Sequence, residues 1–350
     1  MTCHLSESEL WSGLDRQSLD IAEHIAECDI CKTRADEFRT GISAVTSLSA
    51  PSLPALPVSI GSYLVHRRLG EGGMGIVYEA QQQATHRLVA IKVVRGGSGV
   101  DDYRLRLFQR EAQTLGRLRH PSIAAVYEGG RTADGEHFFA MELVNGTPLT
   151  QYVQEHHIPR TQRLLLFQQI CHAIQYAHQR GVIHRDLKPS NIFVEAEGHV
   201  KILDFGLARI TDPDGTLTTA TYEVGRIMGT LPYMSPEEVR GDVGAIDVRS
   251  DLYSLGVILF ELLTNELPYT VRRNALPEAI RIICEEEPRR ASSIDRALRG
   301  DLEGILARAL EKDPNRRYQN AAALADDVER FLTDQPVLAR RRNAFYVLRK

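Results

Sequence analysis

The chain has 350 residues, 43% hydrophobic and 25% charged, and its 42 Lys and Arg against 46 Asp and Glu leave a formal net charge of −4. That is the composition of a soluble globular protein of two or three structural units. The slightly acidic balance gives no pointer to nucleic acid, and without a run of eighteen apolar residues no membrane span is expected.

The N-terminus, Met1-Thr2-Cys3-His4, lacks the basic start and apolar core of a secretory signal. Of the five cysteines, Cys3, Cys28 and Cys31 cluster near one end beside histidines, while Cys171 and Cys284 stand apart. That pattern suits metal binding in a reducing cytosol better than a disulfide framework, so a cytoplasmic location is expected.

Residues 1–40 read as a small helical unit. Ser6 and Glu9 have capping-box spacing ahead of Leu10 and Trp11, and a second helix starts at Ser18 with Ile21, Ala22 and Ile25 on one face. His24 and Cys28 are four apart and share a helix face, and Cys28-x-x-Cys31 turns two thiolates toward one point. A structural Zn²⁺ site usually wants four ligands. Cys3 is the choice for the fourth, with His4 as the alternative. A redox pair is a weaker rival, because no βαβ pattern surrounds it. The segment resembles the small zinc-binding domain of anti-sigma factors, which implies a metal-stapled module that contacts a regulator. Residues 41–59 follow as a linker, where Pro51, Pro54 and Pro57 break any helix and deny donors to a strand.

From Ile60 the pattern turns to short strands at 63–69, 76–80 and 88–94. A helix is expected at 102–118, then strands near 123–127 and 137–144. Beyond Thr147 the chain is mostly helical. Leu164, Leu165, Phe167, Ile170, Ile174 and Ala177 recur at helical spacing, and 251–263 is a dense apolar helix. A strand-rich segment followed by a helix-rich one indicates an α+β, bilobal fold with a cleft between the lobes. The final stretch, 334–350, carries Arg340, Arg341, Arg342, Arg349 and Lys350 among apolar residues. It reads either as a frayed basic tail or as a segment facing a membrane or partner.

The chemistry-bearing residues sit at the joints of this pattern. Gly70-Glu71-Gly72-Gly73-Met74-Gly75 lies between two strands, which describes a flap over phosphates rather than a dinucleotide-binding turn. Lys92 is the lone cation of an apolar strand, and a buried ammonium needs an anion, which Glu111 can supply. His184-Arg185-Asp186-Leu187-Lys188-Pro189-Ser190-Asn191 packs four ionisable groups and an amide between a helix and a strand. Loops held by a rigid frame are where chemistry tends to sit. Asp204, in Asp204-Phe205-Gly206, is a hard oxygen ligand suited to Mg²⁺, and Asn191 offers a neutral oxygen.

The ordered set, closed by Ser235-Pro236-Glu237, resembles the protein kinase signature, and most closely the bacterial eukaryotic-type Ser/Thr kinases. The match runs from about Ile60 to Leu332. The resemblance implies a kinase domain at 60–333, with an N-lobe at 60–144 and a C-lobe at 145–333. It implies ATP in the cleft, touched by Leu69, the glycine-rich flap, Val77, Ala90, Lys92 and Glu111. The hinge would be Met141-Glu142-Leu143-Val144, with Met141 as gatekeeper. Asp186 would take the proton of the substrate hydroxyl and Lys188 would neutralise the moving phosphoryl group. Lys92 would hold the α- and β-phosphates, and Asn191 and Asp204 the Mg²⁺ or Mn²⁺. His184 would stack with Phe205 and Leu115. Asp251 would hold the catalytic loop from below, and Glu237 would pair with Arg317. Thr230 would be a structural partner of Asp186 and Lys188. Thr218, Thr219 and Thr221 are the candidate regulatory phosphoacceptors, their phosphate pairing with Arg185. Protein substrates and a homodimer through the kinase domain are the partners implied.

Overall fold

A computed structural model of the chain describes residues 28, 31–32, 56–72, 75–94, 115–132, 134–205, 230–242, 244–270 and 276–340. The chain divides into two units, Met1–Leu56 and Pro57–Lys350. In the first, Cys31 is buried and the Lys32 N–H donates to the Cys28 carbonyl at 2.9 Å, the bond of a helical turn. Cys3 and His24 lie outside the described residues. Among the described residues no group of three or more His, Cys, Asp or Glu is placed to hold a metal.

The second unit opens with an antiparallel sheet. Its strands are β1 (Ser59–Ile60), β2 (Tyr63–Gly72), β3 (Gly75–Gln82), β4 (Leu88–Val94), β5 (Val126–Arg131) and β6 (His137–Glu142). Their spatial order is β1-β2-β3-β4-β6-β5. Ser59 already pairs with Leu64, so the sheet begins one residue inside the stretch expected as linker. The β5 ladder starts at Val126, not at 123. Ala125 is diverted to the N–H of Glu142, and the register slips between Val126 and Glu128. Of the helix expected at 102–118, only the last turn is described, with Leu115 and Leu118 buried.

Strand β4 explains the placement of the lysine. Its alternate residues Val89, Ile91 and Val93 pack on one face with Tyr63, Tyr78 and Phe138, while Ala90 and Val94 join Phe139 and Met141 on the other. With a side-chain period of two, Lys92 shares the second face, toward the rest of the unit. Gly75 sits at φ 147, where a Cβ would lie 1.7 Å from the Val93 carbonyl oxygen, so no other residue lets β3 approach β4 there.

The helical part follows. It comprises α1 (Leu149–Glu155), α2 (Arg160–His178), α3 (Pro236–Arg240), α4 (Val248–Thr264), α5 (Leu276–Glu285), α6 (Asp301–Ala309) and α7 (Ala321–Leu332). A small sheet of β7 (Gly146–Pro148), β8 (Ile192–Glu195) and β9 (Val200–Ile202) lies at its head. Helix α4 is apolar almost all round and buried along most of its length, as a central core helix must be. A Cβ on its Gly256 would meet the Ala309 Cβ of α6 at 2.9 Å, which shows how closely those helices pack. In α2, Leu164, Phe167, Ile170, Ile174 and Ala177 are buried as the spacing predicts, but Leu165 is 48% exposed and Leu166 takes the inward position. Among the described residues no helix is long and apolar enough to cross a membrane.

The expected boundary at 333 is not where packing ends. Val337 is fully buried, and the backbone N–H groups of Leu338 and Ala339 donate to the buried Asp327 carboxylate at 2.6 and 2.8 Å. Arg340 pairs with Asp301 at 2.8 Å. The first part of the basic tail is thus a strap on α6 and α7, because the charge of Asp327 demands donors that the strap supplies.

Candidate active site

The polar loop 184–191 hangs between the end of α2 and β8, and a buried carboxylate from α4 shapes it. Asp251 accepts the N–H of His184 at 2.8 Å and of Arg185 at 3.0 Å, and bonds His178 Nε2 at 2.7 Å. Burial raises its carboxyl, but these hydrogen bonds, His178 foremost, outweigh it and hold the group below the usual carboxylate range. The loop enters at a cost: Arg185 has φ 65, a left-handed conformation disfavoured for a side chain of that size.

His184 is fully buried, and burial pushes its pKa below the ordinary imidazole value. A neutral ring has one donor and one acceptor. Nε2–H donates to the Leu203 carbonyl at 2.9 Å, and Nδ1 accepts the Asp186 N–H at 3.3 Å. The ring also lies against Phe205, centroids 4.6 Å apart. With both nitrogens engaged, His184 is a bracket between loop and β9 and not a base.

A cluster of charged and polar groups follows. Lys188 Nζ lies 2.9 Å from both oxygens of Asp186 and donates to Thr230 Oγ1 at 2.8 Å. Asn191 donates Nδ2 to the Asp186 carbonyl at 2.8 Å and to Asp186 Oδ2 at 3.0 Å, which turns its own Oδ1 the other way. The Asn191 carbonyl in turn accepts the Leu203 N–H at 2.8 Å, fixing the next segment to the loop. Asp204 follows at φ 61, and its Oδ2 is 2.6 Å from Lys92 Nζ. Lys92 is therefore paired across the cleft with Asp204, whereas Glu111, its expected partner, lies outside the described residues.

The remaining expected positions frame this cluster. Ala90 and Met141 belong to the apolar cluster on the cleft side of β4 and β6, with Val77 packed against it. Leu69, Gly70, Glu71 and Gly72 end β2, and Gly75 opens β3. Glu71 pairs with Arg68. Val144 follows β6 just beyond the crossing between lobes. An apolar recess bounded by Leu118, Val126, Met141 and Phe205 lies behind Met141. Glu237 and Arg317 form a bidentate pair at 2.7 and 2.8 Å, remote from the cleft. Gly73, Met74, Thr218, Thr219 and Thr221 lie outside the described residues.

Chemically the site offers a carboxylate and an ammonium on one loop, a second ammonium from the sheet, and two hard oxygens, Asn191 Oδ1 and the Asp204 carboxylate. That donor set fits Mg²⁺ or Mn²⁺. Two contributors escaped the sequence reading: His178, which buttresses Asp251, and Lys201, which pairs with Glu142 at 2.5 Å. Only the six-residue distance from His178 to the polar loop hinted at the first.

Residues 63–328 match the protein kinase domain family. The serine/threonine-protein kinase PknB of Mycobacterium leprae is 39% identical over 272 residues, covering 77% of this chain and 42% of that protein. The serine/threonine-protein kinase pkn3 of Myxococcus xanthus is 39% identical over 277 residues, 76% of this chain and 49% of that one. The chain thus spans less than half the length of the curated relatives it matches. Among solved structures, the PknI kinase domain of Mycobacterium tuberculosis superposes with a TM-score of 0.61 at 29% identity, covering 79% of this chain and 98% of that one.

Proposed function

The chain belongs to the protein kinase family, and we propose that it transfers the γ-phosphoryl group of ATP to serine and threonine hydroxyls of proteins in bacterial signalling. The observation that supports this best is the joint placement of Asp186, Lys188 and Asn191 on one braced loop, with Lys92 and Asp204 facing each other across the cleft. In the proposed step Asp186 orients the hydroxyl and accepts its proton. The hydroxyl oxygen bonds to the γ-phosphorus as the bond to the β-bridging oxygen breaks, and ADP leaves with that electron pair. Lys188 offsets charge on the moving group and Lys92 holds the α- and β-phosphates. Mg²⁺ or Mn²⁺, held by Asn191 and Asp204, would supply further charge neutralisation on the phosphates. Because the transition state spreads charge over several oxygens, positioned cations carry most of the catalysis. The test is incorporation of labelled phosphate into a generic protein substrate by the parent chain and by Asp186→Asn. Equal incorporation would defeat the assignment.

The same reading gives Thr218, Thr219 and Thr221 the role of autophosphorylated residues, whose phosphate pairs with Arg185 and orders the segment. Full activity after phosphatase treatment would count against it. For the first unit we propose a Zn²⁺-stapled module of Cys3, His24, Cys28 and Cys31 that docks a regulator. The Lys32 N–H to Cys28 carbonyl bond supports it, since helical spacing at that point sets residues 28 and 31 on one face. A metal assay should find about one ion per chain, lost in Cys28→Ser. We place the chain in the cytoplasm, with the tail on an anionic membrane surface and the kinase domain self-associating. Vesicle flotation and sedimentation equilibrium check those two points.

A further inference from the structure

Two lysine–carboxylate bridges cross the cleft, and they run in opposite senses. Lys92, on β4 of the sheet-rich lobe, reaches Asp204 just after β9; Lys201, on β9, reaches back to Glu142 at the end of β6. In sequence Lys201 looks like a surface residue of a short strand, but its side chain is only 14% exposed and lies 2.5 Å from Glu142 Oε1. The other oxygen of Glu142 is also used, accepting the Ala125 N–H at 3.1 Å, while the Glu142 N–H donates to the Ala125 carbonyl at 2.8 Å. β9 is itself tied to the same segment, with the Ile202 N–H on the Ser122 carbonyl and the Ala124 N–H on the Ile202 carbonyl. The ladder between β4 and β6, in which Val89 faces Glu142 and Lys92 faces Phe139, closes the circuit. Glu142, Lys201, β9, Asp204, Lys92 and β4 thus form one ring around the cleft.

We propose that the Lys201–Glu142 pair is a standing latch that positions the hinge backbone for the adenine end of the nucleotide. The inference rests on the kinase reading above. When phosphates draw on Lys92 and a divalent ion draws on Asp204, the bridge between those two is given up. The Lys201–Glu142 pair has no such competitor, since neither of its ends bonds Lys92 or Asp204. It then keeps the lobes in register, and the Glu142 side chain cannot turn without breaking two contacts, one at each carboxylate oxygen. Lys201 is a positioning residue: it acts through the hinge and touches no reacting atom.

The prediction separates binding from chemistry. In the full chain, Lys201→Met weakens ATP–Mg²⁺ binding about tenfold, ~1.4 kcal/mol. It weakens adenosine, measured by competition with a fluorescent ATP analogue, by the same factor. At saturating ATP, kcat stays within about threefold of the parent, as expected for lost uniform binding. Lys201→Arg restores most of the affinity, and Glu142→Gln matches Lys201→Met with no added loss in the double variant, the signature of a coupled pair. Should Lys201→Met fail to fold, Glu142→Gln carries the measurement. Parent-like affinity in these variants overturns the latch, as does a loss for ATP without one for adenosine. A parent chain that binds no ATP overturns the kinase reading and the latch with it.

Discussion

Arg317→Met should be among the most damaging single changes in this protein, although the residue lies far from the chemistry. The guanidinium is fully buried and uses every N–H it has. Nε donates to the Glu311 carbonyl at 2.7 Å, Nη1 to Glu237 Oε1 at 2.7 Å and the Arg249 carbonyl at 3.0 Å. Nη2 donates to Glu237 Oε2 at 2.8 Å and the Lys312 carbonyl at 3.0 Å. Glu237 is 4% exposed, and among the described residues Ser250 is its one further side-chain donor, at 2.8 Å. Methionine fills the volume but leaves a buried carboxylate without its counter-charge, a loss of about 3–5 kcal/mol. For a domain of this size each kcal/mol moves the midpoint by about 2–4 °C, so Tm should fall by about 6–20 °C. Urea unfolding followed by far-UV circular dichroism measures the free energy directly. The double variant Arg317→Met, Glu237→Leu should recover much of the loss, because the orphan charge is gone.

The pH dependence follows from the sign of the shift. Burial raises the Glu237 carboxyl, but the hydrogen bonds and charge of Arg317 outweigh it and hold it below its usual 4.5. A depressed folded pKa contributes stability that is complete above 4.5 and is lost as pH falls through the folded value. In Arg317→Met the carboxyl is buried without that help, so acid protonates it readily and relieves the strain. The stability gap between parent and variant should therefore narrow as pH falls from 7, first above pH 4.5 as the variant's carboxyl protonates, then below it as the parent's does. A gap under about 1 kcal/mol at pH 7, the worth of a surface pair, would refute the reasoning, as would a gap constant from pH 7 to 3.

Two further outcomes follow from buried carboxylates. Asp251→Asn puts an amide N–H₂ against a loop that offers only donors, so Arg185 and Asp186 shift. kcat should fall about a hundredfold, the effect of an ångström-scale misplacement, with ATP affinity little changed. Stopped-flow nucleotide binding beside steady-state kinetics checks the split. Asp327→Ala strands the Tyr318 hydroxyl and the N–H groups of Leu338 and Ala339. It should lose about 3 kcal/mol of stability and open the 334–340 strap to limited proteolysis.

How much of this was visible in the residues alone depends on where each group finds its partner. Lys92 stood out because a single cation in an otherwise apolar strand is costly and so needs a reason, and the loop at 184–191 stood out through its density of charge. Strands at 63, 76 and 88 were legible as short strand-like runs, whereas the start of the strand near 123 was not. There the backbone bonds go to Glu142 and β9 before the ladder begins. Asp251, sixty-odd residues from the loop it braces, was reachable only through the family pattern. Lys201 had no local signature, and His178 only its nearness to the polar loop. A lysine in a Val-Lys-Ile strand and a histidine in a helix's last turn both read as ordinary, and only the fold brings Glu142 and Asp251 to them. The strap at 334–340 was grouped with the basic tail because the arginines from 340 onward are conspicuous in sequence, while the buried Asp327 that recruits its backbone is not.

The two residues held at positive φ in the site show how the fold creates the chemistry. Arg185 at φ 65 and Asp204 at φ 61 each occupy a conformation that costs roughly 1–3 kcal/mol for a residue with a side chain. Neither is relieved locally. Arg185 is held by Asp251, whose carboxylate takes its N–H at 3.0 Å, and His178 holds Asp251 in turn. Asp204 is held on both sides: Leu203 before it is bound through its carbonyl to His184 and through its N–H to Asn191, and its own carboxylate is bound to Lys92. Each strained turn is thus fixed by groups from at least two other elements. Both strained turns border the cluster of Asp186, Lys188, Asn191, Lys92 and Asp204. It follows that activity should be lost before the fold is. Weakening Asp251 or the His184 bracket lets the turns relax at little cost to the core, while breaking the Glu237–Arg317 pair destabilises the lobe that carries them.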